Sequence, residues 1–111
     1  MEAIIEKEGE LMIQGTTPVH KFDIPFDTGL IDEVKITYKQ NNETILTKRN
    51  SECTLNDKTI TTKLSQEETF SFTTGHDVKL QIRVLTTSGD AFVSDIFVLP
   101  VYKCLDSEVL V

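Results

Sequence analysis

Tryptophan is absent from this sequence, and cysteine, histidine and proline are scarce, at two, two and three residues in 111. Each shortage closes a route. Sugar-binding modules usually offer exposed Trp or Tyr for stacking; here only Tyr38 and Tyr102 remain, and Tyr38 lies in a core-phased run. Cys53 and Cys104 are far apart and fit no CxxC or metal spacing, so the expectation is two small, partly buried, reduced thiols rather than a disulfide. No apolar run approaches the ~20 residues that span a bilayer. The segment from Met1 to Glu8 lacks the basic start and long apolar stretch of an export signal. Neither a membrane partner nor export by the general route is expected. Positive charge is also in the minority, with 11 Lys and Arg against 18 Asp and Glu, a net charge of −7 and a pI of about 4.7. Such a chain is repelled by phosphate backbones, so nucleic acid is not an expected partner. The acidic excess suits solubility; the alternative is a protein that imitates DNA and occupies a nucleic-acid-binding protein.

What is present is a strand pattern. Hydrophobic residues make up 39% of the chain, with six Phe, which is ordinary material for one globular domain spanning 1–111. Phe22, Ile24 and Phe26 alternate with Lys21, Asp23 and Pro25. Val34, Ile36 and Tyr38 alternate with Lys35, Thr37 and Lys39, and Val78, Leu80, Ile82 and Val84 with Lys79, Gln81 and Arg83. Period two marks strands with one face on a core and one in water. Turn signals separate the runs: Asp27-Thr28-Gly29, Gln40-Asn41-Asn42-Glu43, Asn56-Asp57, Thr74-Gly75-His76 and Ser88-Gly89-Asp90. Short strands spaced by about 8–12 residues predict an all-β fold, an immunoglobulin-like antiparallel β-sandwich of about seven strands. One segment departs from the pattern: Ser65-Gln66-Glu67-Glu68 reads S-x-x-E, a capping box for a single helical turn between the sheets.

The last hairpin carries a register argument. A three-residue loop Thr87-Ser88-Gly89, with Gly89 left-handed, pairs Ile82 with Ser94, Leu80 with Ile96 and Val78 with Val98. That register keeps Asp95 in water near Arg83. It also sets Leu85, Val93 and Phe97 on the outer face, as surface scatter or as a patch that another subunit covers. These three are the possible interface.

Chemistry is sparse. His20 alternates in phase with Phe22 and Ile24 and reads as a core or rim residue; His76 sits in a turn. No G-x-S-x-G elbow exists for a Ser-His-Asp set. The acidic groups Asp27, Asp32, Glu33 and Glu6, Glu8, Glu10 follow no calcium-loop pattern, and Gly15-Thr16-Thr17-Pro18 is a bend rather than a phosphate loop. The expectation is a non-enzyme with no catalytic residue, no cofactor and no metal.

Particular stretches then carry a resemblance. Met12-Ile13-Gln14-Gly15-Thr16-Thr17-Pro18, the strand ending Pro25-Phe26-Asp27, Leu64 to Thr69, Val84 to Ala91, Ser94-Asp95-Ile96 and Lys103-Cys104-Leu105-Asp106 resemble small phage and prophage proteins of Gram-positive gut-type bacteria. The resemblance runs from Met12 to about Leu110. It implies a virion-associated domain of the tail or baseplate region, present in the host cytoplasm during assembly, whose partners are other phage structural proteins and its own copies. The relatives begin near Met12, which leaves residues 1–11 as an extension or an alternative start; if they are native, Ala3-Ile4-Ile5 is expected to form an edge strand or to join a neighbour's sheet. The alternatives are an acidic phage-encoded inhibitor of a host protein and a carbohydrate-binding module.

Overall fold

The alternating stretches become strands in a computed structural model that describes residues 1–5 and 11–111. In chain order the elements are β1 (Ile4–Ile5), β2 (Met12–Ile13), β3 (Val19–Asp23), β4 (Ile31–Gln40), β5 (Glu43–Arg49), β6 (Cys53–Asn56), β7 (Thr59–Lys63), α1 (Gln66–Phe70), β8 (Val78–Thr86), β9 (Ala91–Val93), β10 (Phe97–Leu99) and β11 (Val101–Tyr102). One sheet has the order β1-β3-β7-β6 and the other β10-β8-β4-β5, with β9 also on β8. Every pairing in these two sheets is antiparallel. The protein is all-β, and α1 is its one α-helix among the described residues.

The two inner faces meet over one core. Phe22, Ile24, Ile60 and Leu64 come from the first sheet and its flanks; Val34, Ile36, Tyr38, Val78, Leu80 and Ile82 come from the second. These are the in-phase residues of each alternating run. Each such side chain stabilises the fold by roughly 1.5–3 kcal/mol on burial. A third, smaller pairing is parallel: β11 lies beside β2, with Met12 N–H donating to Pro100 O at 2.8 Å and Gln14 N–H to Tyr102 O at 3.1 Å.

Turn chemistry fixes the connections. The β4–β5 hairpin closes on two residues, Asn41 and Asn42, with φ of 51° and 64°. Asn tolerates this left-handed region, and a pair of such residues matches the twist of the flanking strands. The β8–β9 loop spans Thr87-Ser88-Gly89 as expected, with Gly89 at φ 89°. Gly89 N–H donates to Thr86 O at 3.0 Å, and Thr86 N–H to Asp90 O at 2.8 Å. The capping box of α1 also forms: Glu68 N–H donates to Ser65 Oγ at 3.1 Å, and Ser65 N–H to Glu68 Oε1 at 2.8 Å.

The expected register holds only halfway along the hairpin. Arg83 pairs with Val93, but beyond Ser94 the ladder shifts by one residue, so Phe97 pairs with Leu80 and Leu99 with Val78. Phe97 therefore turns inward and meets the Phe22 ring at 5.9 Å, which corrects its outer-face placement. The cause lies at Ser94. Its hydroxyl accepts from Ile82 N–H at 3.1 Å, in place of a backbone carbonyl, and donates to Asp95 O at 2.8 Å. The chain bulges there, leaving Asp95 and Ile96 both in water.

At the other margin β1 pairs with β3 through Ile4–Asp23 and Ile5–Phe22, as an edge strand. Met1 continues past that sheet, and its ammonium donates to Val93 O at 3.0 Å. Glu6, Glu8 and Glu10 lie outside the described residues.

Candidate functional site

Two places gather polar or reactive groups, one sealed and one open. The sealed one lies between the sheets at the β5–β6 side. His20 on β3 and Tyr38 on β4 are both fully buried and stack at 5.6 Å, with His20 Nδ1 and the Tyr38 hydroxyl 2.7 Å apart. His20 Nε2 has no hydrogen-bond partner among the described residues. Burial pulls the imidazole down to about 4. Burial, reinforced by Cys53 and Glu68, pushes the Tyr38 phenol well above its ordinary value, so both rings are neutral at pH 7. Beside them the buried Lys48 ammonium on β5 donates to both carboxylate oxygens of Glu68, at 2.9 and 2.8 Å, and lies 3.6 Å from Glu52. Burial raises the Glu68 carboxyl, but hydrogen bonds from Lys48 and from the Ser65 backbone outweigh it, and the group lies below the usual carboxylate value. Burial also pushes the Cys53 thiol up, which keeps it protonated.

A general base must reach the proton it removes. His20 has no solvent-exposed surface, so the arrangement braces the interior. Glu68 joins two tasks, closing the cap of α1 and neutralising Lys48. Sequence reading found the cap and missed the ion pair.

The open place is the outer face of the β10-β8-β4-β5 sheet. Leu85 is half-buried there and Val93 is 44% exposed. The shift that turns Phe97 in puts Ile96 and Val98 out, at 56% and 53% exposed. The outer-face residues are thus Leu85, Val93, Ile96 and Val98. Val98 pairs with Lys79, and Val93 with Arg83, so cations border the apolar row. Next to it Ile96, Lys79, Gln81, Thr37 and Lys39 line an open groove of about 590 Å³, walled by Asn41, Asn42, His76 and Asp77. Gln40 fixes one wall. Its buried amide donates to Thr73 O at 2.8 Å and His76 O at 3.0 Å, and accepts from Thr73 N–H at 2.9 Å. The signal for Gln40 was its parity, in phase with Val34, Ile36 and Tyr38.

The remaining sequence candidates stay apart. His76 is exposed on the groove wall, and Cys53 and Cys104 are unpaired, half-buried thiols. Among the described residues no group of three or more His, Cys, Asp or Glu is placed to hold a metal ion. No helix among them is long and apolar enough to cross a membrane. No protein-family model and no curated protein matches this chain.

Proposed function

We propose that the chain is a non-catalytic assembly domain of a phage or prophage particle, in the tail or baseplate region, with an immunoglobulin-like sandwich as its frame. The observation that carries this reading is the outward row Val93, Ile96 and Val98 along one sheet edge. Single exposed apolar residues are ordinary. Three in a row beside Lys79 and Arg83, on an edge whose β10 pairs only with β8 among the described strands, suit a protein contact with an apolar centre and a charged rim. The resemblance from Met12 to about Leu110 supplies the context of a virion. Mass spectrometry and negative-stain imaging of purified particles test it: the protein is expected among the particle's components, and its absence overturns the reading.

Sugar binding has one observation in its favour, an open groove bordered by the polar side chains of Asn41, Asn42, Asp77 and Gln81. A glycan array without hits removes that alternative.

A further inference from the structure

Like charges meet on the outer face of the second sheet. The outward residues of β4 are Lys35, Thr37 and Lys39, because Val34, Ile36, Tyr38 and Gln40 are buried between them. Across the β4–β8 ladder Lys39 stands opposite Lys79, Thr37 opposite Gln81 and Lys35 opposite Arg83; on the other side of Lys35 stands Arg49. Five of the 11 Lys and Arg residues therefore share one face, in a chain with 18 Asp and Glu. Like charges set directly opposite one another weaken a sheet, so this arrangement runs against stability. The ion pairs among the described residues both belong to Lys48, and none of the five cations is neutralised by a described carboxylate. Acids stand at the margins, Glu33 and Asp77 on groove walls and Asp95 at the bulge, without pairing to the band.

We propose that this band docks an extended acidic segment of a partner protein, with carboxylates four residues apart seated on its two cationic pairs. The inference deepens the assembly reading and rests on it for where the partner is found. Spacing gives the chemistry. Four strand residues, about 13 Å, separate the Lys39–Lys79 pair from the Lys35–Arg83 pair, with Thr37 and Gln81 midway. An extended chain repeats at the pitch of the strands beneath it, so its residues i and i+4 fall on both pairs and face the same way. There is room for such side chains: Lys39 and Lys79 line the groove of about 590 Å³, and Lys35, Arg49 and Arg83 line another of about 250 Å³. Charge and apolarity together select a protein. Val98 stands opposite Lys79 and Val93 opposite Arg83, so an aliphatic strip runs along the β9–β10 flank of the band. A phosphodiester or anionic polysaccharide backbone answers the cations but leaves that strip uncovered. A second copy meeting this face with its own, as a two-fold dimer through the band requires, sets cations against cations.

The probe is a short labelled peptide of repeating Glu-Val-Ser-Val, followed by fluorescence anisotropy beside its Lys-for-Glu counterpart and a single-stranded DNA of equal length. The Glu peptide is expected to bind, more weakly as salt rises, and the other two at least about tenfold less tightly. Lys39→Glu should weaken the Glu peptide about tenfold or more. The same change sets opposite charges across the ladder, so its midpoint in urea should hold or rise; a loss of binding with no loss of stability separates a docking role from a structural one. No binding of the Glu peptide, binding that Lys39→Glu leaves unchanged, or DNA bound as tightly overturns the proposal. In purified particles, carbodiimide joins an amine to a carboxylate it touches, and it is expected to link Lys35, Lys39 or Lys79 to Asp or Glu of another particle protein. Links to a second copy of this chain, or none from these lysines in particles that hold the protein, overturn the docking while the particle reading survives. Peptide binding by a protein absent from particles has the opposite meaning.

Discussion

On the β5–β6 side of the sandwich a lysine points inward and a glutamate meets it; on the β9–β10 side three aliphatic side chains point outward. Both sides end in edge strands among the described residues. An inward charge on an edge strand resists the addition of another strand, because a newcomer must leave the ammonium sealed and still satisfied. Lys48 and Glu68 brace that edge from inside. The other edge has the reverse design. The Ser94 bulge sends Ile96 and Val98 into water and brings Phe97 in, so the core closes while the surface stays apolar. One edge is braced by an inward charge, and the other leaves aliphatic side chains in water.

Removing Glu68 tests the closed edge most severely. Glu68→Ala takes both charge-assisted hydrogen bonds from the buried Lys48, leaving it Glu52 at 3.6 Å, and removes the carboxylate half of the α1 capping box, so a loss of about 3 kcal/mol is expected in urea unfolding at pH 7. Adding Lys48→Met to that variant should restore a large part of it; no restoration would mean that the cap, not the charge, dominates.

Acid attacks the same side more gently. The His20 pKa is about 4 in the folded protein and 6.5 in the unfolded chain, so the unfolded chain takes up the proton first as pH falls. The stabilisation is complete above pH 6.5 and drains away towards pH 4, about 3 kcal/mol in all. The depressed Glu68 carboxyl adds a loss of the same sign at lower pH. Unfolding free energies from pH 7 to 4 should show the fall, and His20→Leu should flatten it between pH 6.5 and 4.

The smallest expected change in stability falls on the open edge. Val98→Lys lies on an exposed strand face, so stability should move by no more than about 0.5 kcal/mol, while incorporation into particles is lost. Unimpaired incorporation would remove the contact role from this edge.

These contrasts were unevenly legible in the sequence. The alternating runs gave β3, β4 and β8 with their inward residues, since a buried face imposes period two. Ser65 and Glu68 announced α1 because a capping box is local. The outer edge was half legible. Asp95 and Phe97 share a parity, so strict alternation must either bury the acid or expose the ring. A bulge satisfies both, and the cue was that conflict, which nothing in the local residue types resolves. Lys48 was hidden for a related reason. Ile45 and Leu46 are adjacent and both half-buried, and the β4–β5 ladder slips between Tyr38 and Lys39. The phase of β5 therefore follows from its neighbour, and Lys48's partner lies 20 residues away.

The parallel pair β2–β11 gives the molecule a mechanical grain. Parallel strands point the same way, so a pull on the chain before Met12 and after Tyr102 drags the two in opposite senses along their length. Tension then falls on the Met12–Pro100 and Gln14–Tyr102 bonds together, in shear, instead of peeling them apart in turn. Because forced rupture is governed by the unfolding rate, a domain tied in this way resists stretching between its ends more than its equilibrium stability alone suggests.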